Sequence, residues 1–193
     1  TKTVQATLFD TEPEEKSVAE ESFATLADTP HTYHLVESDE EMWDLAALLG
    51  CSEAFAFDTE TTGIDPIRAE LVGLSFAMKA HEAYYVPVPE NREAATAVVE
   101  IFRSALENTA SLKVGQNIKY DMIVLQNYGV QVKGKLFDTM LAHYVLQPEL
   151  RHNMDYLAEI YLHYQTIHID ELIGARGKNQ KNMRDLSPED VYR

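Results

Sequence analysis

Residues 54–63 read AFAFDTETTG, and the fold turns on how this stretch is taken. Phe55 and Phe57 alternate with small residues as in a half-buried β-strand, and Thr-Thr-Gly closes the run as a turn. With a side-chain period of two, Asp58 and Glu60 point to the same face at the strand's end. Two carboxylates this close repel each other, raise each other's pKa and cost stability, and a cation between them removes the cost. Two solvated acids at a strand end satisfy the same letters, so the pair alone leaves both readings open.

Further strands surround it. HTYHLVE (31–37) alternates like a short strand, and Ser38 with Glu41 forms a capping box that opens a helix. ELVGLSFAM (70–78) and EAYYVPV (82–88) are two more strands joined by a short polar loop, so the acid-bearing strand begins a meander. Between Asn91 and Leu106, the residues Ala97, Val98, Ile101, Phe102 and Ala105 have helical spacing, and SLKVGQN (111–117) returns as a strand. The rest reads as helical, through NIKYDMIVLQNYG, DTMLAHYVL and NMDYLAEIYLHY, with Gly129 and Pro148 as stops. Strands first and helices interleaved later predict an α/β domain, with a mixed sheet covered by helices. Residues 1–30, acidic from Asp10 to Asp28 with little apolar periodicity, read as a flexible linker; the domain is expected over 31–193. At the other end, Ser187, Pro188 and Asp190 open a new helix within which the chain stops.

Composition narrows the classes. A chain of 193 residues has room for one domain with a real core. No window approaches the roughly 18 apolar residues of a membrane span, and the first residues lack the pattern of a secretory signal. The missing initiator Met points to an excised piece. The single cysteine, Cys51, excludes an internal disulfide framework and fits a reducing cytoplasm. A net charge of −16 argues against a surface that attracts nucleic acid over a broad area, while carboxylates converging in a cleft suit hard divalent cations.

NIKYD carries the second constellation. Asn117 and Asp121 are four apart where strand passes into helix, which predicts both on one face of the first turn. Alone, Asp121 could simply complement the helix dipole. The two motifs together, in the order acid pair, two strands, helix, KVGQNIKYD, resemble the DEDD superfamily of 3′-to-5′ exonucleases, specifically the proofreading domains of bacterial family A DNA polymerases of the polymerase I type. The resemblance runs from about Thr32 to Arg193 and includes the NYG turn, FDTMLAHYVL, RHNMDYLAE and GKNQ.

That resemblance implies a ribonuclease H-like fold, here with a mixed five-stranded sheet whose second strand is antiparallel to its neighbours, flanked by helices. It implies two divalent ions, Mg²⁺ or Mn²⁺ with Zn²⁺ as a further candidate, about 3.5–4 Å apart across the scissile phosphate. Asp58 would bridge both ions, Glu60 would complete the nucleophile side, and Asp121 would act on the second ion through water. Thr59, Gln116 and Asn117 would contact the substrate, Ile64 would wedge against the terminal base, and Tyr120 would stack on or touch the terminal nucleotide. Arg151 would grip phosphate and Met154 a base of a single-stranded DNA 3′ end. For Ile64 and Tyr120, ordinary packing is an equal reading, as is a solvated connector for the basic loop holding Arg176, Lys178, Lys181 and Arg184. The histidines lack ligand spacing.

The family's fourth acid, on a late Tyr-x-x-x-Asp or His-x-x-x-x-Asp helix, has no counterpart after the first motif. The expectation is therefore a monomeric exonuclease domain cut before its last motif, weakly active alone. Its parent would be cytoplasmic and nucleoid-associated, with a 5′ nuclease-like domain upstream and a polymerase domain downstream. A catalytically silent spacer and an RNA-trimming exonuclease are the competing readings.

Overall fold

The meander beginning at the acid pair is the centre of the sheet. The structure is a computed structural model that describes residues 23–174, 177 and 180–191. Its strands are β1 (Thr32–Leu35), β2 (Ala54–Thr61), β3 (Leu71–Lys79), β4 (Glu82–Pro87), β5 (Leu112–Gly115) and β6 (Lys135–Asp138). Its helices are α1 (Asp39–Cys51), α2 (Arg92–Ile101), α3 (Arg103–Leu106), α4 (Lys119–Asn127), α5 (Thr139–Leu146), α6 (Met154–Leu162), α7 (Ile169–Ile173) and α8 (Pro188–Val191), with a 3₁₀ turn at Met183–Asp185.

The strands form one sheet in the order β1-β4-β3-β2-β5-β6. β3 runs antiparallel to β2 and β4, and the other pairings are parallel. The antiparallel strand is thus the second one counted from the acid pair, as expected. The strand number is six rather than five, because KLFD (135–138) forms an edge strand. Its first three residues are exposed and it runs straight into α5, so no alternation of buried and exposed side chains marks it. Backbone pairing with β5, not burial, holds it.

One face of the sheet makes the core. Phe55, Phe57, Leu74, Phe76 and Val86 pack with Leu45 and Leu49 of α1, Val99 of α2, Leu106 of α3 and Phe102 between them. Phe76 stacks on Phe102 at 5.0 Å between ring centroids and meets Phe55 edge-on at 6.3 Å. In this helical segment Ile101, Phe102 and Ala105 are buried as expected, joined by Ala95, Val99 and Leu106, and Val98 packs against the core, while Ala97, expected inside, is exposed. The helix breaks at Phe102, which ends α2 and begins α3. Ser38 caps α1 with the full capping box, and the Asn91 side chain caps α2.

At the amino-terminal side, Ala24 bridges to Tyr164, with its N–H on the His163 carbonyl at 2.8 Å. Folded contacts thus start some residues before His31; residues 1–22 of the expected linker lie outside the described residues.

Gly73 is a close approach. It pairs with Glu60 on one side and Pro87 on the other, and the Tyr85 ring lies over it, so that a Cβ there would stand 2.3 Å from Tyr85 Oη. Gly73→Ala is expected to cost about 1–3 kcal/mol through overpacking. In a Tyr85→Ala background most of that cost disappears, a coupling that thermal unfolding of the double-mutant cycle measures.

Candidate active site

The site is built on the carboxyl-terminal end of β2. Phe55, Phe57 and Thr59 are buried on the core side, so the alternation turns Asp58 and Glu60 to the other face. Across the ladder Asp58 faces Ser75 and Glu60 faces Gly73, two small residues that leave room beside the carboxylates. The register slips between Glu60 and Thr61, a bulge that ends the regular pairing just after the second acid.

Asp121 reaches this strand end from α4. It lies in the first turn of the helix and is 2% exposed. Its Oδ1 accepts the Thr59 N–H at 2.9 Å and the Thr59 hydroxyl at 2.6 Å, so Thr59 orients the acid. The three acids therefore meet at one strand end from two directions. They do not close into a cage: among the described residues no three His, Cys, Asp or Glu groups are arranged to hold an ion. The donor set nevertheless fits a hard divalent cation, being all carboxylate oxygen. With one Asp121 oxygen committed to Thr59, Asp121 suits contact through water.

The electrostatics are those of a site short of positive charge. Burial raises the Asp58 carboxyl to about 8, with repulsion from Asp121 and then Glu60 adding to it and the Thr59 backbone opposing it. Asp58 keeps an open path to solvent, so this burial is crowding by protein rather than enclosure. Burial and then Asp121 raise Glu60. Burial also raises Asp121, with Asp138 contributing, against the lowering effect of the Thr59 hydrogen bonds. Among the described residues none of the three acids is in a salt bridge.

The other residues singled out from the sequence divide by what they touch. Ile64 is 95% exposed on the turn after β2, where it packs against nothing that would explain an aliphatic side chain. The Tyr120 hydroxyl pins that turn, bonding to Thr61 Oγ1 at 2.6 Å and donating to the Gly63 carbonyl. Asn117, expected on the first helical turn, instead precedes the helix with φ of 60°, and its Oδ1 accepts the Lys119 ammonium. Gln116 is engaged within the protein: its Oε1 accepts the Thr139 hydroxyl and its Nε2 donates to the His152 carbonyl at 2.6 Å. It thereby holds the segment carrying Arg151, which is exposed, and Met154, 58% exposed at the start of α6. Of the basic loop, Arg176 and Lys178 lie outside the described residues. Arg184 is tied down, donating to the Leu71 carbonyl at 2.6 Å and the Val88 carbonyl at 3.2 Å, so it anchors this segment to the sheet.

Three participants escape a motif search. Tyr85 borders Glu60, and burial, with the Glu60 charge adding to it, pushes the phenol up to about 12. Thr61 and Thr139 hold Tyr120 and Gln116, and nothing in a lone threonine announces such a partner.

Comparison with known proteins shows the family. Residues 33–187 match the family described as 3′-5′ exonuclease. DNA polymerase I of Pseudomonas aeruginosa is 44% identical over 137 residues, covering 66% of this chain and 15% of its own length. The DNA polymerase I of Borreliella burgdorferi is 29% identical over 172 residues, covering 88% of this chain and 19% of its own length. The chain thus spans less than a fifth of either relative. Among solved structures, Brucella melitensis NrnC with bound Mg²⁺ superposes with a TM-score of 0.56 at 18% identity, over 77% of this chain and 69% of that one. Escherichia coli RNase D, an exoribonuclease involved in structured RNA processing, does so with a TM-score of 0.58 at 16% identity, over 75% and 38%. These two likenesses establish the ribonuclease H-like fold.

Because the folded Asp58 pKa is raised, the folded state binds its proton more tightly than the unfolded chain. Metal-free stability should therefore fall as pH rises from about 4 and reach its floor above about 8. Asp58→Asn should flatten that slope and, after allowance for solvent screening, stabilise the metal-free chain at pH 8 by about 1 kcal/mol, roughly 3 °C in melting temperature. Melting curves in chelator across this pH range check it.

Proposed function

We propose, from the premise that this chain belongs to the 3′-5′ exonuclease family, that it is the proofreading domain of a bacterial DNA polymerase I, hydrolysing nucleotides from single-stranded or frayed DNA 3′ ends. The observation that carries the reading is the trio Asp58, Glu60 and Asp121, crowded at one strand end with raised pKa values and no salt bridge among the described residues. Structure of this kind is costly unless cations arrive.

Two divalent ions, Mg²⁺ or Mn²⁺, would supply an activated water and stabilise the departing 3′ oxygen. Asp58 and Glu60 would hold them directly, and Asp121, kept in orientation by Thr59, would act through water. The chain's other residues bind and align the strand. Ile64, raised on the turn that Tyr120 pins, wedges against the terminal base, and the Tyr120 ring meets the terminal nucleotide. Asn117 offers its amide to the sugar-phosphate backbone. Gln116 acts by holding the segment from which Arg151 reaches phosphate and Met154 a base.

In this reading the fourth acid of the family comes from the part of the parent polypeptide that this chain does not span. Val191 of α8 lines the same small cleft as Glu60, Ser75 and Tyr85, so the helix starts at the site's border. The parent polypeptide would carry a polymerase domain and a 5′ nuclease-like domain and act as a monomer in the cytoplasm. A neighbouring polymerase domain would deliver the 3′ end by local concentration, which removes the need for a basic surface here. The DNA polymerase I relatives favour DNA over RNA, while the likeness to RNase D makes RNA the second substrate to test.

The test is release of nucleotides from a 3′-labelled single strand in Mg²⁺, by this chain and by one continued about 15 residues past Arg193 to complete the helix. The longer chain should degrade DNA, the shorter one should be slower by 100-fold or more, and Asp58→Ala or Glu60→Ala in the longer chain should remove about 100-fold or more of the activity. Silence of both chains would select the spacer reading, and faster attack on the matched RNA strand would select the RNA exonuclease.

A further inference from the structure

The edge strand absent from the sequence pattern delivers a carboxylate to the site's other corner. In the parallel register of β5 with β6, Asp138 stands opposite Gly115, where the chain leaves β5 for Gln116, Asn117 and Ile118. Asp138 accepts four backbone N–H groups. Its Oδ1 takes those of Met140 at 2.9 Å, Leu141 at 3.2 Å and Asn117 at 3.1 Å, and its Oδ2 takes that of Ile118 at 3.0 Å. Met140 and Leu141 belong to α5, of which Asp138 is the N-cap. Asn117 and Ile118 lead into α4, whose own N-cap residue, Ile118, provides no side-chain bond. One carboxylate therefore serves two helix starts.

The second of these bears on the acids. Asn117 has φ of 60°, in the left-handed region that asparagine enters more readily than other L residues, and its N–H in that conformation is held by Asp138. The direction of α4 follows from that residue, and with it the approach of Asp121 to Thr59. The next residue extends the corner: the Thr139 hydroxyl donates to Gln116 Oε1, leaving Gln116 Nε2 to hold the His152 carbonyl.

We propose that Asp138 is a positioning residue of the nuclease site. Its Oδ2 holds the entry of α4 so that Asn117 and Asp121 are presented together; the assignment rests on the nuclease reading above. The role requires two accepting oxygens. Asparagine caps α5 as well as aspartate does, but its amide nitrogen would face the Ile118 N–H donor to donor.

Asp138→Asn separates the cap from the positioning role. In this chain, amide hydrogen exchange should remain slow at Met140, Leu141 and Asn117, whose N–H groups use Oδ1, and accelerate at least about 10-fold at Ile118, with the melting temperature within about 4 °C of wild type. In the intact polypeptide that carries the domain, kcat for 3′ nucleotide release should fall about 10 to 100-fold. Asp138→Ser, an equally good cap with a single oxygen, should behave like Asp138→Asn. Unchanged exchange at Ile118, or unchanged kcat, overturns the proposal, and so does loss of protection throughout α5, which would make Asp138 a general structural cap. If exchange responds as expected but the wild-type polypeptide releases no nucleotides, the nuclease reading fails and the positioning geometry stands.

Discussion

Asp121 Oδ1 takes both the N–H and the hydroxyl of Thr59, and this contact across 62 residues of sequence joins the two halves of the site. Thr59 lies between Asp58 and Glu60, so the bond that orients the third acid is made to the residue flanked by the first two. The chain thereby pulls together groups that repel each other. The hydrogen bonds offset part of the cost of burying Asp121, yet all three acids still titrate above their ordinary range. A cation removes that cost when it binds, so the stored repulsion adds to its affinity.

Around this contact the sheet acts as a rigid frame. The core face carries Phe55, Phe57 and Phe76 against α1 to α3, which prevents β2 from shifting by one residue, since such a slip would bury Asp58 and expose the phenylalanines. On the opposite face Ser75 and Gly73 keep the space beside the acids free, and Tyr85 closes over Gly73 at the border of Glu60. Small residues there and aromatic ones beneath explain how one strand can be both core and active site.

The distribution of positive charge follows the same division. Arg184 fastens the segment after the basic loop to carbonyls of Leu71 and Val88, and Lys113, fully buried, donates to the carbonyls of Ser111 and Lys133. Both cations serve the backbone. Neither pairs with the three acids, and Arg151 stays exposed.

Much of this was legible in the residues themselves. Alternation placed Asp58 and Glu60 on one face of β2, the capping box at Ser38 marked a helix start, and the order of strand and helix patterns identified the α/β class, because each of these signals acts over a few neighbouring residues. What stayed hidden depends on partners distant in the chain. β6 is held by backbone pairing and has no burial pattern; Asn117 leaves the helix for a left-handed conformation in which Asp138, 21 residues later, takes its N–H; Gln116 is occupied by Thr139 and His152. Sequence alone determined which residue types the site contains and the strand face from which two acids project. Only the tertiary structure decided how Asp121 meets them, since that follows from hydrogen bonds formed when β2, β5 and β6 lie side by side.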